Sequence, residues 1–217
     1  MSAAEIFWQL LRGAPYTLLV TSVCAATGLC VGLFVAALRR ARIPGLQVII
    51  AVYAYVFRGV PVLVLLFLAY FGLPSIGIKL SPLLAMALSL GLTAGAYLAE
   101  VFRGALASVD TTEIIAAEAM GFSRLQIMRL VEFPQMLRFA VPGMINEFTT
   151  ILKYSPFAYT VGIPEITKQA TALTARTLQG IEIYLCVGLL YFAIYRVVLS
   201  TIHVVASRYQ VPGIGNS

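Results

Sequence analysis

The chain has 217 residues, of which 60% are hydrophobic and only 11% charged, against roughly 25% charged in a soluble domain. A mean hydropathy of +0.93, with no polar stretch long enough to build a second unit, excludes a soluble enzyme and leaves one integral membrane domain over residues 1–217. The net charge of +6 comes from arginines gathered between apolar runs; the surroundings are membrane lipid, and no nucleic-acid partner is expected.

Five runs are long enough to cross a hydrocarbon core about 30 Å thick at about 1.5 Å of helical rise per residue. The first covers about 16–38, from Tyr16 to just before Arg39 and Arg40. It is too long for a removed leader and lacks a basic start or small-residue cleavage site, so no signal peptide is expected. The second, about 47–72, carries Arg58 and the break Gly59-Val60-Pro61. The third, about 82–102, opens on Ser81-Pro82 and closes on Glu100-Val101-Phe102-Arg103. A fourth, weaker run covers about 138–162 and is interrupted by Pro142, Lys153 and Pro156. The fifth covers about 183–206.

Lys and Arg in short loops favour the cytoplasm. Placing the 39–46 and 103–137 loops and the C-terminal tail inside collects Arg39, Arg40, Arg42, Arg103, Arg124, Arg129 and Arg208 there, with Arg138 at the boundary. The opposite side receives only Arg12, Lys79, Lys168 and Arg176. The N-terminus is therefore expected outside and the C-terminus in the cytoplasm. Cys24, Cys30 and Cys186 all fall inside apolar runs without metal spacing and read as small buried hydrophobes. His203 stands alone near the inner end of the last run. With no paired carboxylates, Ser/His set or ligand cluster in register, neither catalytic residues nor a metal site is expected.

The connection at about 103–137 is the longest cytoplasmic one and has a helical pattern in its middle. Thr111 or Thr112 can cap it, and Ile115, Ala119 and Phe122 recur at helical intervals until Gly121 interrupts. A second helix is expected from Ser123 to Val131, ending before Pro134. Ala116, Ala117 and Ala119 beside Gly121 permit close backbone approach, which suits a docking projection or an interfacial amphipathic helix equally.

The order of those residues resembles the cytoplasmic loop of permease subunits of binding-protein-dependent ABC importers: Glu-Ala-Ala, three residues, Gly, nine residues, Ile-x-Leu-Pro. Ala116-Ala117, Gly121 and Val131-Glu132-Phe133-Pro134 fall at that spacing. Ile115 occupies the glutamate position, so an acidic contact would have to come from Glu113 or Glu118 or be lost. Three further stretches resemble the polar amino-acid branch, of histidine, glutamine and arginine type: "FRGVP" at 57–61, "GAYLAEVFRGALASV" at 95–109 and "FPQMLRFAVPGMINEFTTILKYSPF" at 133–157.

The resemblance implies an all-α permease of the type I importer fold, with five transmembrane helices and a coupling-helix loop between the third and fourth. It implies a bacterial inner-membrane complex with a second, same or similar permease, two ATP-binding subunits and a periplasmic or extracytoplasmic solute-binding protein, moving a polar amino acid or close analogue inward. Glu113, Ala116, Ala117, Glu118, Gly121, Phe122 and Pro134 would then form the ATPase-coupling segment. No Gly-x-x-x-x-Gly-Lys-Ser/Thr occurs, since Lys79, Lys153 and Lys168 follow Ile, Leu and Thr. ATP and Mg would therefore sit on partner chains, and no cofactor on this one.

Ionisable residues inside a bilayer normally face a partner or a wet cavity. Lys153-Tyr154-Ser155-Pro156 stands where the family has the Lys-Asp-Thr-Ser stretch of its substrate cavity, which implies substrate-pathway roles for Lys153, Tyr154 and Ser155. Tyr154 in place of the acid departs from a site for cationic solutes, and a Lys153 paired with Glu147 or snorkelling outward stays open. Thr93, Tyr97 and Glu100 share one helical stripe and are further pathway candidates. Glu100 can instead pair with Arg103 to close the inner end, and Arg58 suits gating or helix positioning. Gly28-x-x-x-Gly32 and Gly91-x-x-x-Gly95 allow close helix crossings, internal or between subunits. An ion-coupled transporter or channel would want mid-span carboxylates or His, and only Glu147 comes close.

Overall fold

The computed structural model describes residues 2–40 and 43–207, and these are helical apart from short connections. The expected Arg42 and Arg208, and the side chain of His203, lie outside the described residues. Helix α1 (Ala3–Leu11) is absent from the sequence-based expectation. It is held by a reciprocal cap in which the Ser2 hydroxyl accepts from the Glu5 N–H and the Glu5 carboxylate accepts from the Ser2 N–H. Helix α2 (Ala14–Arg40) extends the first apolar run at both ends, and Arg39 and Arg40 fall in its last turn, beside the carbonyl-rich end that favours cations.

The second run does not form one straight span. Helix α3 (Leu46–Gly59) meets the helical stretch Val62–Ile76, which opens with helix α4 (Val62–Phe67), at an angle of 103°. Pro61 forces this break. Its ring disfavours helical backbone at the preceding residue, and Val60 accordingly sits extended at ψ 132°. A π turn (Leu68–Gly72) and a 3-10 turn (Leu73–Ile76) carry the chain to Gly77.

Ser81 then caps helix α5 (Pro82–Met86), which passes through a π turn (Ala87–Gly91) into helix α6 (Leu92–Ala107). The connection that follows holds α7 (Thr111–Ala119) and α8 (Arg124–Ile127). Helix α9 (Phe133–Tyr154) starts earlier than expected and keeps Pro142 inside it without a break. A 3-10 turn (Ser155–Val161), helix α10 (Ile166–Thr177) and helix α11 (Gly180–Ser207) complete the described chain.

Among the described residues three helices, Ala4–Arg40, Pro82–Ala107 and Gly180–Ile202, are long and apolar enough to cross a membrane, and the bent pair Leu46–Gly59 and Val62–Ile76 makes up to four. Helix α9 does not meet that measure among the described residues; it carries Arg138, Glu147 and Lys153 in 22 residues.

Helix α2 packs closely against α6 and the π turn before it. A Cβ on Gly28 would come within 2.9 Å of the Ala94 Cβ, and one on Gly91 within 2.9 Å of Thr27. Both glycine pairs therefore serve this internal crossing. Gly32→Val is expected to destabilise the fold by about 1–3 kcal/mol, the usual range for overpacking, because even its Cβ would sit 2.7 Å from the Leu98 Cβ. Thermal unfolding in detergent checks this, and an unchanged midpoint would contradict it.

Between α9 and α11, buried Glu165 caps α10 by accepting the Thr167 and Lys168 N–H groups, and the Tyr191 hydroxyl also donates to it. Gly13 packs against this joint so closely that its Cβ would meet the Ile166 backbone nitrogen at 2.5 Å. Cys24 is buried as expected, Cys186 is half-buried, and Cys30 is exposed on the surface of α2, contrary to expectation.

Candidate functional site

Two regions carry the candidate residues: the α7–α8 connection and a cavity behind the α3–α4 bend. Asp110, and not Thr111 or Thr112, caps α7; its Oδ1 accepts the Thr112 N–H at 2.8 Å. That bond holds the Asp110 carboxyl below the usual carboxylate range. The cap's contribution is full above the ordinary aspartate value and fades only as pH falls through the depressed one, so α7 stays capped at neutral pH.

The far end of α7 closes at Gly121. The Gly121 N–H donates to the Glu118 carbonyl at 2.9 Å and the Phe122 N–H to the Ala117 carbonyl at 3.1 Å. This paired closure needs a left-handed residue between, and Gly121 supplies φ +82°. Ser123 then caps α8 with Gln126 reciprocating, as the sequence suggests.

The expected stop before Pro134 does not occur. From α8 the chain runs through a π turn (Met128–Glu132) directly into α9, with Pro134 in the first turn of α9, where a proline is tolerated.

Of the candidate coupling residues, Glu113, Ala116, Glu118, Gly121 and Pro134 are exposed, Phe122 is half-buried and Ala117 faces inward at 6% exposure. Ile115, Met120 and Leu130 add exposed apolar surface to the same projection. Glu113 is engaged by the Gln135 side chain, whereas Glu118 makes no ion pair or side-chain hydrogen bond among the described residues. Behind the projection, buried Glu132 accepts from Arg40 and ties the start of α9 to the end of α2.

The cavity has a volume of about 490 Å³ and lies among the α3–α4 bend, α6 and α9. Thr93, Tyr97 and Tyr154, three of the pathway candidates, line it together with Arg58, which belongs to the cavity wall as well as to the bend. The Arg58 guanidinium lies 5.0 Å from the Tyr97 ring centroid and makes no ion pair among the described residues.

Three candidates lie elsewhere. Glu100 accepts from Arg39 at 2.5 Å and from Arg103 at 2.7 Å, so it ties α6 to the end of α2 and does not line the cavity. Lys153 sits 5.6 Å from the Tyr195 ring on α11, unpaired with Glu147. Ser155 is fully buried and donates to the Leu152 carbonyl.

Sequence reasoning missed Asn146, Thr150 and Phe157, and it assigned Glu147 no place in the pathway; all four line the cavity. The available signal was the stripe Asn146, Thr150, Tyr154 at intervals of four residues on α9.

Residues 28–213 match the family described as "Binding-protein-dependent transport system inner membrane component". The chain belongs to that family. This permease is 33% identical over 207 residues to "Probable amino-acid ABC transporter permease protein YckA" of Bacillus subtilis (strain 168), covering 95% of this chain and 92% of that one. It is 32% identical over 215 residues, 93% of each chain, to "Histidine/lysine/arginine/ornithine transport system permease protein HisQ" of Escherichia coli (strain K12).

Among solved structures, an amino acid ABC transporter crystallised with histidines superposes with a TM-score of 0.82 at 29% identity, over 95% of both chains. An inward-facing MetNI methionine ABC transporter shares the fold, with a TM-score of 0.79 over 97% of this chain and 100% of that one, at 23% identity. The permease is thus a multi-pass membrane subunit of a bacterial amino-acid ABC importer, and its family carries no ATPase activity of its own.

Proposed function

We propose that the permease crosses the membrane five times, by α2, α3–α4, α5–α6, α9 and α11, with its N-terminus outside and the α7–α8 projection and C-terminus in the cytoplasm. The projection docks on an ATP-binding subunit; two such subunits carry ATP and Mg, and a second permease of the same or similar sequence completes the pathway. An extracytoplasmic binding protein delivers an amino acid or close analogue, which passes through the cavity as the spans rock between outward and inward states.

One observation carries this reading. The helical path from Ser123 through the π turn to Tyr154 is unbroken, so the element that bears the docking projection at one end bears Asn146, Glu147, Thr150 and Tyr154 at the other. A displacement of the projection by nucleotide-driven closure therefore moves one wall of the cavity directly. Ala116 and Gly121 allow close approach at the docking surface, Phe122 and Pro134 brace it, and inward-facing Ala117 lets α7 lie close to the body. Arg58 positions the bend, and the Arg39–Glu100–Arg103 cluster latches the inner end.

Because Glu113 is engaged by Gln135 and Glu118 is exposed and unpaired among the described residues, Glu118 supplies the acidic contact that Ile115 cannot. Glu118→Gln is expected to weaken retention of the ATP-binding subunit during co-purification several-fold, and Glu113→Gln to do so less. Equal retention by the Glu118 variant and wild type would remove that assignment. The reading as a whole is tested by co-purification from membranes: a chain that never retains an ATP-hydrolysing partner contradicts it.

A further inference from the structure

The cavity contains more unsatisfied polarity than a structural role requires. Thr93 is 6% exposed, lines the cavity, and its hydroxyl has no hydrogen-bond partner among the described residues. Glu147 is 8% exposed and lines the same space with no hydrogen bond or ion pair among the described residues. Buried polar groups are ordinarily partnered, and a carboxylate within a span more so, because leaving one bare costs desolvation without return. Arg58, exposed at the bend, contributes the cation on the same wall and also lacks an ion-pair partner there. These groups are arranged for something that enters.

Charge decides what kind of molecule. Among the described residues the cavity is lined by one cation, Arg58, and one anion, Glu147. The α-carboxylate and α-ammonium groups of an amino acid neutralise both. A third charge, on the solute's side chain, would then meet no counter-charge in the lining. What the remaining wall offers is aromatic: the Tyr154 and Phe157 rings are stacked, with centroids 5.6 Å apart and an interplanar angle of 13°. The cavity's volume of about 490 Å³ falls within the common range of about 300–1,000 Å³ for small-molecule sites.

Resting on the importer reading above, we infer that this cavity selects α-amino acids with uncharged side chains, placing the α-ammonium at Glu147 and Thr93, the α-carboxylate at Arg58, and the side chain against the Tyr154–Phe157 stack. Tyr154 is the specificity-determining residue: an acid in its place would supply the counter-charge a cationic side chain lacks here.

The test uses the complete permease–ATPase complex in lipid nanodiscs without the solute-binding protein, so that selection by that protein does not intervene. Binding of radiolabelled L-phenylalanine, L-leucine, L-arginine and L-glutamate is measured directly. L-phenylalanine and L-leucine bind saturably, and L-arginine and L-glutamate bind about tenfold or more weakly, as a partly buried unpaired charge demands. Tyr154→Asp reverses the preference toward L-arginine, while Tyr154→Phe keeps it. Thr93→Val lowers affinity for the neutral solutes without lowering the thermal midpoint, since it removes a hydroxyl that has no partner among the described residues.

L-arginine or L-glutamate binding wild type as tightly as L-phenylalanine, absence of binding by the neutral solutes, or a Tyr154→Asp complex with unchanged preference overturns the inference. The two levels are separable. ATP-driven uptake of L-arginine by proteoliposomes holding the complex with its solute-binding protein removes this selectivity and leaves the importer reading standing, whereas failure of ATP to drive uptake of any α-amino acid there removes the importer reading itself.

Discussion

Gly121→Val is expected to reduce ATP-driven uptake by more than about tenfold while leaving membrane insertion intact. A left-handed backbone costs an L-residue roughly 1–2 kcal/mol, and a β-branched side chain tolerates it least. Gly121 holds φ +82°, and a Cβ there would meet nothing within 4 Å, so the penalty is in the backbone alone. The chain escapes it by opening the turn that joins α7 to α8, which tilts the exposed Ala116 face relative to α9. Gly121→Asn separates this cause from bulk, because asparagine visits the left-handed region readily and should retain most of the uptake. Uptake, ATPase rate and membrane fraction are measured on all three chains. Wild-type transport by the valine variant would count against the docking role.

Glu100→Ala is expected to loosen the packing of α2 against α6 and lower stability. Its carboxylate holds Arg39 of α2 and Arg103 of its own helix, and the Arg39 and Glu100 side chains are 21% and 24% exposed. Removing one partner of a fully buried pair costs about 3–5 kcal/mol; the partial exposure here lowers the expectation to about 2 kcal/mol. For a chain of this size that is about 4–8 °C in Tm. Glu100→Gln, which keeps an acceptor, should fall between. An alanine variant as stable as wild type would mean that the cluster forms no latch between α2 and α6.

Where the chain is continuously apolar, sequence alone placed its helices well: α2, α5–α6 and α11 follow the first, third and fifth runs, because twenty apolar residues admit little else. The bend at Pro61 was visible as a break, but its angle of 103° depends on how α4 packs after Val60 turns extended. Pro134 was misread as a stop because proline ends a helix from its interior yet suits its first turn. Helices α1 and α10 went unseen for different reasons. The first is nine residues long, and the second is Thr-rich and owes its start to the buried Glu165 cap.

The cavity lining was half legible. Successive residues on a helix point about 100° apart, so a wall containing Tyr154 turns Lys153 away, and the Lys153 side chain reaches the Tyr195 ring instead. Glu100 shares a stripe with Thr93 but lies two turns further along α6, beyond the cavity and beside Arg39. Charge drew attention to Lys153 and Glu100, while the uncharged stripe of Asn146 and Thr150 carried the surer geometric signal.

The central claim is that ATP hydrolysed on partner chains moves the α7–α8 projection and, through the continuous helix, the cavity. Accumulation of radiolabelled amino acid by proteoliposomes holding the permease, its ATP-binding partner and the solute-binding protein tests it most directly. Accumulation is expected with ATP, none with ADP, and strongly reduced accumulation with ATP in the Gly121→Val complex. Accumulation that persists with ADP and follows an imposed ion gradient would contradict it.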